Sequence, residues 1–184
     1  MSAPTTTGDV ADPVTAMLKQ AKAASGGRLL ALHTDLAVSP ATLAAYLGLR
    51  RAGGDYGTLH PAVRAAIMLT TGVVDGGDYS QAIATQLALG AGMSPHETVA
   101  VRADHVEDAR TAALLAVIRE AAANTGMVSK TTWDAATAAG WSDEQLIEAF
   151  VYLALTVFVD YFTNFARTEL DVPPAPPITT GGQR

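Results

Sequence analysis

The chain has 184 residues, 49% of them apolar, and 12 basic against 18 acidic side chains give a formal net charge of −6. A chain of this length fits one domain. An acidic balance without a basic run argues against a nucleic-acid partner, and the absence of cysteine excludes disulfides, thiolate metal sites and thiol nucleophiles.

Neither an export signal nor a membrane span is expected. The polar start, Met1 to Asp12, carries Asp9 and Asp12 where a signal would carry basic residues and an apolar run. The most apolar stretch, Leu146 to Val159, is interrupted by Glu148 and Thr156 and stops at Asp160. It falls short of the roughly 20 residues needed to span a bilayer and reads as a buried core helix. A cytoplasmic location is the expectation that follows.

Helix punctuation recurs along the chain. Asp12-Pro13, Ser39-Pro40 and Ser94-Pro95 each set a capping side chain before a proline at the first helical position. Ser94 with Glu97 and Ser142 with Gln145 have capping-box spacing. Gly53, Gly92, Gly126 and Gly140 stand where helices should stop. In chain order the expected helices are 13–24, 40–52, 60–74, 78–91, 95–103, 106–124, 130–139 and 143–168, and no strand pattern competes with them. The fold class is all-α. The last helix is apolar round most of its circumference, with Phe150, Tyr152, Phe158, Tyr161, Phe162 and Phe165. Such a helix is normally enclosed, by its own subunit or across an oligomer interface. Residues 1–27 read as a mobile segment plus a short helix, 28–172 as the domain, and 173–184 as a disordered Pro-rich tail.

From about Arg28 to Pro173 a series of segments recurs in order. His60-Pro61-Ala62-Val63-Arg64 leads into an apolar helix and Gly76-Gly77-Asp78-Tyr79-Ser80 opens the next. Gly90-Ala91-Gly92-Met93-Ser94, Ala139-Gly140-Trp141-Ser142-Asp143-Glu144, Phe162-Thr163-Asn164-Phe165-Ala166 and Asp171-Val172-Pro173 follow. In these segments the chain resembles the alkylhydroperoxidase-D-like (AhpD-like) branch of the carboxymuconolactone decarboxylase family. The resemblance implies an AhpD-like helical bundle assembled into homo-oligomeric trimers or hexamers. It also implies a redox site in which a glutamate, a Cys-x-x-Cys pair and a histidine reduce peroxides.

Carried over position by position, that site is gone. Its glutamate falls on Ala65, its cysteines on Gly77 and Ser80, and its histidine on Ala84. Serine cannot replace a redox cysteine, because no stable O–O bridge would form. Thiol peroxidase or peroxiredoxin activity is therefore chemically unsupported. The decarboxylase branch implies a histidine near Ala84 as well, and none is there.

The remaining polar residues each have a plain structural role beside a functional one. Asp78 reads as a helix N-cap. Tyr79 reads as a packing residue or a proton donor, and Ser80 lacks a base at helical spacing. Gly76-Gly77 could cradle an anion, but Asp75 and Asp78 oppose one. Asp104-His105-Val106-Glu107-Asp108 looks like a metal cluster, but acids favour a helix first turn, so no metal and no cofactor are expected. His33, His60 and His96 read as capping or solvated residues, and Trp133 and Trp141 as packing for the helix between them. Asn164 reads as a hydrogen-bonding residue or, with Tyr79 and Ser80, as part of a ligand pocket. Asp160, within an apolar helix, is the carboxylate whose pKa burial would raise. The candidate catalytic groups are thus Tyr79, Ser80, Asp160 and Tyr161.

Three functions remain open. The first is a redox-inactive binder of a small molecule in a site made less polar by its substitutions. The second is a cysteine-independent lyase, isomerase or hydrolase acting on a small organic acid or lactone. The third is a structural subunit paired with a complete paralogue.

Overall fold

The computed structural model describes residues 12–178; residues 1–11 and the last six residues of the tail expected at 173–184 lie outside them. Among the described residues there are nine helices and no strand: α1 (Pro13–Ala24), α2 (Ala31–Leu36), α3 (Pro40–Tyr56), α4 (Pro61–Asp75), α5 (Asp78–Gly90), α6 (Pro95–Arg102), α7 (Ala109–Ala123), α8 (Lys130–Ala138) and α9 (Asp143–Ala166).

Helix α4 is the hub. His60 caps it through Nδ1, which accepts from the Ala62 N–H at 3.3 Å. Pro61 follows at the first turn, and Gly76 ends it in the left-handed conformation. Every residue from Ala65 to Gly72 is buried, as befits a helix covered on all sides. Around it pack α5, α6, α7 and α9. Leu69, Leu114 and Ile67 are among the fully buried side chains of this first core. Each contributes about 1.5–3 kcal/mol by leaving water. A second core joins α1, α2 and α3 to the outer side of α5 and α9 through Leu36, Leu43, Tyr46, Tyr79, Leu155 and Val159.

Both expected capping boxes form, at Ser94/Glu97 and Ser142/Gln145. Gly92, Gly126 and Gly140 have positive φ, as a helix stop requires. Four expectations need correction. Gly53 does not end α3, which continues to Tyr56. A Cβ at position 53 would lie 3.0 Å from Tyr152 Cε1, so this glycine serves close packing inside the helix. Helix α2 has no conventional N-cap residue, which hid it; Leu30 stands there, and its N–H donates to His33 Nδ1 at 3.2 Å. Asp78 is the first residue of α5, and Gly77 is its N-cap. Helix α7 begins at Ala109, with Asp108 capping the Thr111 N–H, and Asp104 pairs with Arg119 at 2.8 Å.

Helix α9 is the one helix among the described residues long and apolar enough to cross a membrane, although its apolar stretch read as too short in the sequence. Half of its most apolar window is buried in the bundle, against α3, α4, α5 and α7, while Ile147, Phe150, Tyr161 and Phe165 leave its other face exposed, so the expected enclosure is only partial within the chain. Trp133 and Trp141 hold α8, donating to Asp143 Oδ1 at 3.0 Å and to the Arg110 carbonyl at 2.7 Å. Residues 173–178, expected as loose tail, include a described contact: the Arg102 guanidinium donates to the Pro176 carbonyl.

Candidate functional site

The two cores do not close completely on one another. Between them lies a cavity of about 570 Å³, within the usual range for small-molecule sites. Ala65 and Met68 of α4 form one wall, Ile83 of α5 another, and Leu155 and Val159 of α9 a third. Leu32, Tyr46 and Gly53 line the side nearest the N-terminal helices, and Val172 and Pro173 reach it from the chain after α9. The charged lining residues are Arg28, Arg50 and Arg64, and no carboxylate or histidine is among the lining residues.

The substituted positions divide between this cavity and the packing behind it. Ala65 and Ser80 line the cavity. Ala84 is fully buried in the core cluster that also holds Ala65. Gly77 lies one turn before Ser80, against Asp160: a Cβ at position 77 would be 1.8 Å from Asp160 Oδ1. Ser80 Oγ donates to the Gly77 carbonyl at 3.1 Å and abuts Gly72, where a Cβ would lie 2.5 Å away. The Ser80 hydroxyl is thus already engaged by a backbone carbonyl.

Asp160 is fully buried, with neither carboxylate oxygen hydrogen-bonded. Burial pushes its pKa up to about 7; the proximity of Ser80 opposes that rise and the charge of Asp75 adds to it. Asp75 is also raised by burial and has one oxygen unpartnered. Asp160 is not a lining residue of the cavity; it stands behind Ser80.

The other candidates lie elsewhere. Tyr79 is buried in the second core, outside the cavity lining. Its hydroxyl donates to Asp171 Oδ1 at 2.8 Å and accepts from the Leu32 N–H at 3.3 Å. Burial, then the Asp171 hydrogen bond, raises its pKa above the ordinary phenolic value, which keeps the hydroxyl protonated and donating to Asp171. Asp171 also accepts from the Ala31 N–H at 3.0 Å and pairs with Arg28 at 3.3 Å, tying the chain after α9 to α2. Tyr161 is 67% exposed on the outer face of α9. Asn164 is exposed in the last turn of α9 with no hydrogen bond, so the helix-bridging bond expected of it does not form. His33 is buried and fills the expected capping role, its Nδ1 accepting from the Leu30 N–H; burial, then the Arg50 charge, lowers its pKa to about 4. No group of three or more His, Asp or Glu among the described residues is placed to hold a metal.

Sequence reading missed Arg50, Arg64, Tyr46 and Tyr152. Arg64 sits inside one of the quoted segments, four residues after His60, and an arginine entering an apolar helix was its one signal. Its Nε–H and one Nη2–H donate to the Leu59 and Gly57 carbonyls, and its guanidinium lies 5.4 Å from the Tyr152 ring centroid. Tyr152 donates to the Gly53 carbonyl at 3.0 Å, and burial pushes its pKa up to about 12. Arg50 donates to Tyr46 Oη at 3.0 Å, to Ser25 Oγ and to the Ala24 carbonyl that ends α1.

The Carboxymuconolactone decarboxylase family model matches residues 40–123, the span from α3 through α7. Over that span the chain is similar to this family. No curated protein matches the sequence. Two solved structures share the fold of this chain. One is a Cys-to-Ala variant of the debrominase Bmp8 in complex with 2,3,4-tribromopyrrole, at TM-score 0.74 and 16% identity, covering 88% of this chain and 87% of that one. The other is apo Bmp8, at TM-score 0.69 and 18% identity, covering 86% and 84%.

Proposed function

We propose that this carboxymuconolactone decarboxylase-like protein is a redox-inactive family member that binds a small, largely apolar molecule in the cavity between its two cores. The observation that carries this reading is the lining itself. It is mostly apolar, it holds no carboxylate or histidine, and the substituted positions Ala65 and Ser80 open into it. Catalysis by acid and base needs two titratable groups within reach of one another. The Bmp8 complex with tribromopyrrole, in a variant that lacks a cysteine, is consistent with a frame that holds a ligand without that thiol.

A homo-oligomer, trimer or hexamer, belongs to the same proposal. Ile147, Phe150, Tyr161 and Phe165 share the outer face of α9 and are 57–89% exposed, an apolar stripe of the kind that marks an interface.

Native mass spectrometry of the purified protein tests both parts. The expected result is a trimer or hexamer with retained small molecules that denaturation releases for identification. A peroxide-consumption assay on metal- and flavin-free protein is expected to read background, and sustained turnover would overturn the redox-inactive reading.

One observation favours a second reading, a cysteine-independent lyase, isomerase or hydrolase acting on a small organic acid or lactone. Asp160 has the proton affinity of a neutral-range acid or base and stands directly behind Ser80. If that pair works, released compounds will include product as well as substrate, and Asp160→Asn will stop turnover.

A further inference from the structure

The cavity concentrates positive charge in a protein whose net charge is −6. Its charged lining groups are all arginines. Arg28 is compensated by Asp171 at 3.3 Å, but neither Arg50 nor Arg64 has an ion pair among the described residues. Both use part of their fork on neutral acceptors. Arg50 holds the C-terminal end of α1, and Arg64 holds the turn before α4. Arg50 Nε and Arg64 Nη1 have no acceptor among the described residues. The charge of Arg50 is felt nearby, where it adds to burial in holding His33 neutral.

Two guanidinium groups with unused donors beside an aliphatic wall specify a ligand chemistry. A guanidinium fork matches a carboxylate, and such charge-assisted bonds are about twice as strong as neutral ones. In the same cavity, Ala65, Met68, Ile83, Leu155 and Val159 offer no polar atom beyond their backbone, with Ser80, Gln86 and Thr156 as the uncharged polar side chains among the lining residues of α5 and α9. The third arginine is already matched, so one anionic head is the complement, not two. We infer that the cavity takes an amphipathic organic monoanion, its carboxylate held between Arg50 and Arg64 and its apolar body laid against α4, α5 and α9. The inference rests on the small-molecule reading above and assigns the class of ligand.

Calorimetric titration of the full chain with four probes tests it: decanoate and 1-naphthoate, and the uncharged amide of each. At low salt at least one carboxylate is expected to bind tenfold or more tighter than its amide, and added salt is expected to narrow the gap. Arg64→Gln is expected to bring acid and amide to parity. Arg51→Gln, which alters an exposed pair with Asp55, should leave the gap intact. A melting curve for each variant separates lost binding from lost fold, and the wild-type comparison of acid with amide does not depend on any variant folding. Equal affinity for acid and amide would overturn the anionic class while leaving the small-molecule reading standing. No binding of any of the four would overturn both.

Discussion

The polar groups at the Asp160 side of the cavity and those at the Arg50/Arg64 edge obey opposite rules. At the first, a carboxylate is fully enclosed, crowded by Gly77 and screened from the cavity by Ser80, whose own hydroxyl is engaged. At the second, two guanidiniums line the open space with donors to spare. Burial alone makes Asp160 look functional, because a shifted pKa marks strained charge as well as catalysis. Access distinguishes them: Arg50 and Arg64 line the cavity, and Asp160 does not.

The sharpest way to break this contrast is at Gly77. Gly77→Ala puts a methyl into the Asp160 carboxylate and is expected to cost about 3 kcal/mol or more in urea unfolding. Combining it with Asp160→Ala should return part of that loss, since touching residues couple by about 0.5–3 kcal/mol. Additive losses would mean that the two do not meet.

Asp160 itself should leave a signature in pH. In the unfolded chain it ionises near 3.8, in the folded chain near 7. Between those values the folded state keeps a proton that the unfolded state has released. Its contribution to stability therefore falls as pH rises through that window, by up to about 1.4 kcal/mol per pH unit, and changes no further above it. The difference in unfolding free energy between wild type and Asp160→Asn, followed from pH 4 to 8, is expected to show this slope. A flat difference would mean that Asp160 is ionised in the fold.

Smaller effects follow for the groups assigned to structure. Tyr79→Phe removes the hydroxyl that bridges Leu32 and Asp171 and is expected to lower stability by about 1–2 kcal/mol, with cavity binding kept. Asn164→Ala is expected to stay within about 0.5 kcal/mol of wild type and to leave ligand affinity unchanged. A binding loss there would return Asn164 to the site.

What was legible in the sequence was local. Ser94 with Glu97 and Ser142 with Gln145 declare helix starts because both halves of each box lie three residues apart. Asp160 was visible as a lone acid in an apolar run. The hidden features depend on residues far apart in the chain. Gly53 looked like a stop until Tyr152, on α9, was seen against it. Helix α2 takes its cap from a histidine ring. Arg50 and Arg64 look like ordinary helix-surface charges, and only the packing of α3 and α4 against α9 brings them to one cavity whose lining has no carboxylate. Asn164 misled because its helix is apolar overall while its own turn, next to Phe165 at 89% exposed, is not covered.

The seat of Asp160 against Gly77 also closes a road backwards. The family resemblance sets a sulfur-bearing residue at 77, yet its first side-chain carbon would land 1.8 Å from the Asp160 oxygen. Any side chain introduced at position 77 needs the Asp160 carboxylate to move, so these two positions can change only together or with position 160 first.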